Sequence, residues 1–157
     1  MTSRSRATTV ALLAQKLPCR PRRLEERIEA AVRAAAGRLG RAVPALSVAV
    51  VGDHRMRRLN REYHGVDATT DVLAFPLETG PGPSGEVIVC APSAARRARS
   101  REIEPLSELL LYVVHGTLHL LGERDATREQ AGRMRRLEFD VLAIIGHPLP
   151  GRHLDET

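Results

Sequence analysis

The sequence predicts a single-domain α+β protein, or a mixed α/β sandwich, with about four short strands and about five helices. Three observations predict this class. The chain has 157 residues, a length typical of one domain. Short β-branched runs stop at glycine or proline, whereas longer segments repeat apolar residues at helical spacing. No internal repeat is visible, which argues against a solenoid.

The first half of the chain is predicted to contain two strands and two helices. Residues 8–14 form a first strand, and a connector rich in proline and arginine follows. A helix then ends at Gly40, and its apolar face consists of Leu24, Ile28, Ala31, Val32, Ala35 and Leu39. The run ALSVAVVG after Pro44 predicts a second strand. Asp53 is expected to cap the helix DHRMRRLNREYHG.

The second half is predicted to contain two more strands and three helices. The strands are DVLAFPLE and GEVIVCAP, separated by a loop rich in glycine and proline. A basic helix, SAARRARSREIE, precedes an apolar helix that starts at Pro105 and stops at Gly122. The last helix begins near Thr127 and ends at Gly146. We therefore expect a disordered N-terminus at 1–7, one domain over 8–146 and a flexible tail over 147–157.

The charge balance is compatible with a polyanionic partner. Lysine and arginine number 24 against 19 acidic residues, which gives a net charge of +5, and the pI is about 10.2. Nearly all the basic residues are arginine, which binds phosphate in a bidentate manner. The alternative is a simple solvated surface. With two Tyr, two Phe and no Trp, stacking of nucleic-acid bases on aromatic side chains is not an obvious option.

Cysteine spacing and hydropathy indicate a cytoplasmic protein without a membrane span. Cys19 and Cys90 form no CxxC pair, so a reduced compartment fits better than a disulfide scaffold. The N-terminal run VALLA is too short for the core of a signal peptide. The apolar run over 109–121 is too short to cross a bilayer and contains two histidines.

The segment HGTLHLLGERD, residues 115–125, predicts a metal site. His115 and His119 are four residues apart, so a helix places both imidazoles on one face. Gly122 ends the helix and lets the chain turn back, which allows Asp125 to supply a third ligand. Glu123 is the fallback ligand. The alternative is a pair of packing histidines, but two unpartnered imidazoles in so apolar a helix would be costly.

The chemistry of this site is predicted to differ from peptide hydrolysis. The residue after His115 is Gly116, so the glutamate base of the HExxH metalloprotease motif is missing. A metal-bound water could still attack a phosphodiester, where the ion stabilises the developing charge.

Four blocks of the sequence, in order, resemble the YbeY family of metal-dependent endoribonucleases over residues 8–146. They are LNREYHGVDATTDVLAFPLE, GEVIVC, HGTLHLLG and MRRLEFDVLAIIG. The resemblance implies a mixed four-stranded sheet with helices and one Zn²⁺ per chain beside a basic cleft that takes RNA. It also implies maturation of the 3′ end of small-subunit (16S) ribosomal RNA, ribosome quality control, and the small ribosomal subunit or its proteins as partners.

Two positions depart from the pattern of this family. Where the family has its third histidine ligand, this chain has Asp125, whose negative charge should lower the Lewis acidity of the metal. Where the family has an arginine thought to meet RNA phosphate, this chain has His64. His64 is predicted to act as a catalytic acid or base beside His115; the alternative is a solvated loop histidine.

Other polar residues are weaker candidates. Thr70 and Asp71 either orient a ligand or form a turn before their strand. Cys90 is expected to be a buried core thiol, and His147 and His153 are expected to have no specific role. Four arginines of the basic helix form either a phosphate-binding face or a solvated surface: Arg96, Arg97, Arg99 and Arg101.

Two other function classes compete with the metal-dependent nuclease of single-stranded ribosomal RNA. The first is a ribosome-associated assembly factor that keeps the fold and binds RNA with little nuclease activity. The second is a metallohydrolase that acts on a peptide or a small molecule, which Gly116 disfavours.

Overall fold

A mixed sheet of three strands lies at the centre of the molecule in a computed structural model, whose residues 23–77 and 85–155 are described. The strands are β1 (Leu46–Val51), β2 (Val72–Pro76) and β3 (Gly85–Cys90). Their order is β1-β3-β2, with β3 parallel to β1 and antiparallel to β2. The α+β prediction is confirmed. The described sheet has three strands and not four. The predicted strand at 8–14 and the N-terminus at 1–7 lie outside the described residues.

Five helices and one short 3₁₀ turn surround this sheet in the described part of the chain, as the apolar spacing predicts. They are α1 (Leu24–Arg38), α2 (Asp53–His64), α3 (Ala91–Arg101), α4 (Pro105–Leu120) and α5 (Arg128–Ile144), with the 3₁₀ turn at Gly151–Asp155. Within residues 23–77 and 85–155, no helix is both long and apolar enough to cross a lipid bilayer.

The sheet is buried on both faces, which explains the nearly continuous apolar runs of β1 and β3. Alternate residues of each strand point to opposite faces. One face packs against α4, which in turn contacts α1 and α5, so α4 lies at the centre of this larger core. The other face packs against α2 through a smaller cluster formed by Ala49, Val51, Met56, Leu73, Ile88 and Cys90. The sheet thus separates two environments, one beside α4 and one beside α2.

Helix α4 approaches the sheet most closely at Gly116. A β-carbon at this position would lie 2.7 Å from Cγ1 of Val87 and 3.4 Å from Cγ2 of Val72. Real β-carbons do not tolerate the shorter of these distances, so only glycine permits the observed packing. The close contact between α4 and the sheet therefore explains why glycine occupies position 116, where the HExxH motif of metalloproteases has glutamate.

We expect Gly116→Ala to lower the free energy of unfolding. Overpacking costs about 1–3 kcal/mol, and the better helix propensity of alanine returns about 1 kcal/mol at most. Gly37→Ala is the matched control, because a β-carbon at Gly37 of α1 meets nothing within 4 Å and should stabilise the protein. Urea titration of both variants measures the difference. Equal stabilisation in the two variants would contradict the close approach of α4.

Two predictions are wrong, one about the start of α2 and one about the C-terminal segment. Asp53 does not cap α2: the N-cap is Gly52, without a side-chain bond, and the Asp53 carboxylate instead binds Arg96 at 2.8 and 2.9 Å. The segment 147–155, expected to belong to a flexible tail, packs back onto the domain. Leu149 and His153 are both buried there, because the 3₁₀ turn lies against α5.

Candidate metal centre

Three side chains converge at the end of α4, as the sequence predicts. The Nε2 atoms of His115 and His119 are 3.0 Å apart. The Oδ2 atom of Asp125 lies 3.5 Å from the first of these nitrogens and 3.4 Å from the second. Two ligands bound at about 2.1 Å to a tetrahedral ion are about 3.4 Å apart. The described residues therefore place His115, His119 and Asp125 at a spacing that suits one small metal ion.

The turn that delivers Asp125 follows directly from the local sequence. Helix α4 ends at Leu120. Gly122 then adopts a φ of +102°, a backbone conformation that residues other than glycine rarely adopt. The chain then reverses toward α5. Thr127 caps that helix, because its hydroxyl accepts a hydrogen bond from the backbone N–H of Gln130. The Gln130 side-chain oxygen in turn accepts a hydrogen bond from the backbone N–H of Thr127. Asp125 is held between these two fixed helix ends.

The hydrogen-bond partners of the two histidines leave both Nε2 atoms as acceptors. The Nδ1 atom of His119 lies 2.9 Å from the backbone oxygen of Glu123, which can only accept, so this Nδ1 carries the proton. The Nδ1 atom of His115 faces the Glu138 carboxylate at 2.8 Å and likewise donates. The Nε2 lone pairs of the two histidines and the carboxylate of Asp125 thus lie close together, and none of these three groups donates a hydrogen bond to the others. A cation placed between them would relieve this repulsion.

Glu138 supports the first histidine from inside the core. Its side chain is only 7% exposed, and its two oxygens bind Nδ1 of His115 at 2.8 Å and Nε2 of His153 at 3.1 Å. Burial favours the neutral carboxyl, but the hydrogen bonds from the two histidines outweigh it and lower the pKa of Glu138. The same contact raises the pKa of His115 against the opposing effect of burial. A carboxylate behind a ligating histidine fixes its orientation and tautomer.

His153 contradicts the expectation that it has no specific role. It lies in the 3₁₀ turn, is buried, and its Nε2 atom lies 3.1 Å from Oε1 of Glu138. His147 also has defined contacts, at 3.1 Å from the Ser107 hydroxyl and 3.2 Å from Arg27. Glu138 is not among the site residues predicted from the sequence. One signal was available: Glu138 lies on the apolar stripe of α5 that includes Met134, Leu137 and Val141.

Glu123 is not the ligand in this arrangement. Its carboxylate forms a two-point ion pair with Arg133 at 3.0 and 3.2 Å, which lowers the pKa of Glu123. Only its backbone oxygen contributes to the site, as the acceptor for His119. The geometry therefore supports Asp125, and not the fallback Glu123, as the third candidate ligand.

A polar cavity of about 280 Å³ adjoins the candidate metal centre on the side of His115. Glu108 is fully buried in its wall and forms an ion pair with Arg101 at 3.3 Å, while burial raises the pKa of Glu108. Arg135 and Tyr112 also line it. The hydroxyl of Tyr112 is buried, and burial raises the pKa of this phenol. The cavity offers both charges and hydrogen-bonding groups beside a proposed metal ligand.

His64 is not brought into this cluster. It is the last residue of α2 and is exposed, and its ring lies 6.1 Å from the ring of Phe75. Phe75 belongs to the face of the sheet that packs against α2, whereas His115 lies on α4. The catalytic role of His64 stays a prediction.

The lesser candidates fall mainly into structural contacts. The Asp71 carboxylate accepts a hydrogen bond from Ser93, and its backbone oxygen accepts from Cys90, so Asp71 ties the start of β2 to α3. Burial raises the pKa of the Cys90 thiol to about 11, which fits a core residue and not a nucleophile. Within the basic helix, Arg96 pairs with Asp53 and Arg101 pairs with Glu108, whereas Arg97 and Arg99 are exposed.

Comparison with known proteins identifies the family of this chain. The family model described as Endoribonuclease YbeY matches residues 11–146. A relative named Endoribonuclease YbeY from Anaeromyxobacter sp. is 45% identical over 69% of this chain and 58% of its own length. Those of the same name from Alkalilimnicola ehrlichii and Bordetella pertussis are 42% and 41% identical over 78% and 79% of this chain, and over 76% and 82% of their own lengths.

A solved structure shares the fold. The solution structure of a Thermotoga maritima protein matches 87% of this chain and 91% of its own, with a TM-score of 0.57 and 25% sequence identity. The family match covers both helices that position the three candidate ligands and all three described strands. This chain belongs to the Endoribonuclease YbeY family.

Proposed function

We propose that this chain is a metal-dependent endoribonuclease that cuts single-stranded RNA and holds one zinc ion per chain. The observation that carries the proposal is the convergence of three acceptors, Nε2 of His115, Nε2 of His119 and Oδ2 of Asp125, within 4.8 Å of one another. Nitrogen and carboxylate donors suit zinc, and three protein ligands leave one position open for water or a phosphate oxygen. Family membership supplies the reaction class.

Each residue of the centre has a defined task in this proposal. His115, His119 and Asp125 hold the ion, which when bound supplies Lewis acidity toward a phosphodiester. Glu138 keeps the proton of His115 on Nδ1 and thereby keeps Nε2 free to ligate. The backbone oxygen of Glu123 does the same for His119. Arg135, in the wall of the adjoining cavity, would contact a phosphate of the substrate.

The biological substrate that we propose is small-subunit ribosomal RNA, during maturation of its 3′ end and in ribosome quality control in the cytoplasm. The resemblance of the four sequence blocks to the family supports this assignment. The basic surface, with a net charge of +5, fits RNA or the small ribosomal subunit as a partner. His64 and the neighbouring arginines of α2 would position the RNA backbone.

Metal removal tests the reaction directly. Dialysis against a chelator should abolish cleavage of a single-stranded ribosomal RNA fragment, and one equivalent of zinc should restore it. Magnesium should not restore it, because Mg²⁺ prefers oxygen ligands in octahedral geometry. Gel analysis of the products, with elemental analysis of the protein before and after dialysis, checks the result. Full cleavage by the metal-free protein would refute the proposal.

The third ligand sets the strength of the site. We expect Asp125→His to bind zinc more tightly and to raise the zinc-dependent cleavage rate several-fold, because a neutral ligand leaves more positive charge on the ion. Asp125→Asn is the matched control, since it removes the charge but provides a poorer ligand. Competition with a chromophoric chelator measures the affinity of each variant. A weaker zinc affinity in Asp125→His would show that Asp125 is not at a ligand position.

The second candidate function is an RNA-binding assembly factor of the ribosome with little nuclease activity. The observations that favour it are Asp125 at the third ligand position and His64 outside the metal cluster. Salt-dependent RNA binding without cleavage, at one zinc per chain, would support this function over the first. A peptide hydrolase is disfavoured, because Gly116 packs against Val87 where that chemistry needs glutamate.

A further inference from the structure

Glu123 links the end of α4 to α5 through three of its groups. Its backbone N–H donates a 3.0 Å hydrogen bond to the carbonyl of Leu118, which closes the turn after α4. Its backbone oxygen accepts the Nδ1 proton of His119 at 2.9 Å. Its carboxylate forms the two-point ion pair with Arg133, a residue of α5, at 3.0 and 3.2 Å. The group that fixes the tautomer of a candidate ligand is therefore itself held by the next helix.

The ion pair acts on the middle of the turn that carries Asp125. Hydrogen bonds of the backbone fix the two ends of this turn, one end to the last turn of α4 and the other to the first turn of α5. Glu123 and Asp125 lie between these ends. Arg133 ties this middle segment to the second turn of α5. Motion of the segment would displace the acceptor of His119 and the third candidate ligand together.

We propose that Arg133 is a positioning residue of the candidate metal centre, which orients His119 and Asp125 by holding Glu123 in place. This inference rests on the proposed function for the identity of the ion. A ligating histidine needs a fixed acceptor for its second N–H, because that acceptor sets its tautomer and ring orientation. Arginine suits this task, because its two parallel N–H donors fix the direction of a carboxylate as well as its distance.

Helix α5 then supports both histidines, but by contacts of different strength. Glu138 accepts directly from His115 and is buried. Arg133 acts on His119 through Glu123, and the Arg133 side chain is 56% exposed. Exposed ion pairs are weak and are screened by salt. The support for His119 should therefore be the smaller of the two and should depend on ionic strength.

The direction of the change in zinc affinity separates positioning from a simple effect of charge. Arg133 is a cation near a site for a cation, so its removal would tighten zinc binding if Arg133 acted only through its charge. Loss of positioning has the opposite sign. We expect Arg133→Met to weaken zinc binding about 2- to 5-fold at low salt, and we expect the difference from the wild type to shrink at high salt.

Competition with a chromophoric chelator measures these affinities on the whole protein. Arg136→Met is the matched control, because Arg136 is an exposed arginine of the same helix, and it should bind zinc at least as tightly as the wild type. The double variant Glu123→Arg/Arg133→Glu reverses the ion pair at constant net charge and should bind zinc like the wild type. Zinc binding in Arg133→Met that equals or exceeds the wild type, or weakening of the same size in Arg136→Met, would overturn the proposal.

Nitrogen-15 NMR of the metal-free protein tests the same link without zinc or RNA. At alkaline pH, His119 in the wild type should show a single tautomer with its proton on Nδ1. Arg133→Met should show a mixture of both tautomers at His119, whereas His115, which Glu138 holds, should keep one. An unchanged His119 tautomer in Arg133→Met would overturn the proposal even if RNA cleavage requires zinc. A changed tautomer in a protein that binds no zinc would support positioning by Arg133 while refuting the zinc-dependent nuclease.

Discussion

We expect His115→Ala to lose the bound zinc and to lower the rate of RNA cleavage by at least about a hundredfold. Removing only the hydrogen-bond partner of a metal ligand typically costs about 10- to 100-fold in metal affinity or activity, and removing the ligand itself costs more. The remaining pair, His119 and Asp125, cannot fix a tetrahedral ion with one open position. Elemental analysis of purified protein and initial cleavage rates of single-stranded RNA measure both losses.

His147→Ala is the matched control for this variant. His147 also sits near the helices of the larger core, but its ring contacts Ser107 and Arg27 and no member of the metal cluster. This variant should retain one zinc per chain and wild-type cleavage. Retention of zinc and activity in His115→Ala as well would remove His115 from the metal centre and refute the mechanism.

We expect Glu138→Gln to weaken zinc binding by about 10- to 100-fold and to lower the free energy of unfolding by about 1.5–3 kcal/mol. The amide keeps the shape of the side chain but loses the charge that binds two histidines at 2.8 and 3.1 Å. The variant can still accept a hydrogen bond from one of them. Chelator competition and urea titration measure the two effects. Glu129→Gln, an exposed position on the same helix, should change neither zinc affinity nor, beyond a few tenths of a kcal/mol, stability.

The stability difference between the wild type and Glu138→Gln should depend on pH. The contacts lower the pKa of Glu138 in the folded protein, so its contribution is fully present above the pKa of the unfolded state, about 4.3. It is lost as the pH falls through the lower, folded-state pKa. Urea titrations of the metal-free proteins should therefore converge below pH 4.3. An unchanged difference at low pH would show that Glu138 does not act through its charge.

The convergence of the three candidate metal ligands could be predicted from the sequence, because it is a local arrangement. His115, His119 and Asp125 lie within eleven residues, and helix periodicity with a glycine stop fixes where their side chains meet. The support behind them could not be predicted in the same way. Glu138 and His153 come from later elements, and their meeting depends on how α5 and the 3₁₀ turn pack. Periodicity within one helix contains no information on that packing.

The elements of the fold were predictable to a similar degree. Buried strands and amphipathic helices have strong local signals, and β1, β3, α1 and α5 follow them. Asp53 was misassigned because two roles compete for one carboxylate. The Asp53 carboxylate forms a two-point ion pair with Arg96, which is 43 residues away, and does not form a capping bond at the start of α2. Such long-range competition appears only in the folded chain.

The contact of Gly116 with Val87 constrains how this protein can evolve. Acquiring a glutamate after the first histidine, as peptidases require, would drive a side chain into the sheet at 2.7 Å from a valine methyl. A smaller residue would have to replace Val87 first, and that intermediate would carry a core cavity with no catalytic gain. The close contact between α4 and the sheet therefore separates this chain from peptide hydrolysis by two coupled substitutions, the first of which lowers stability.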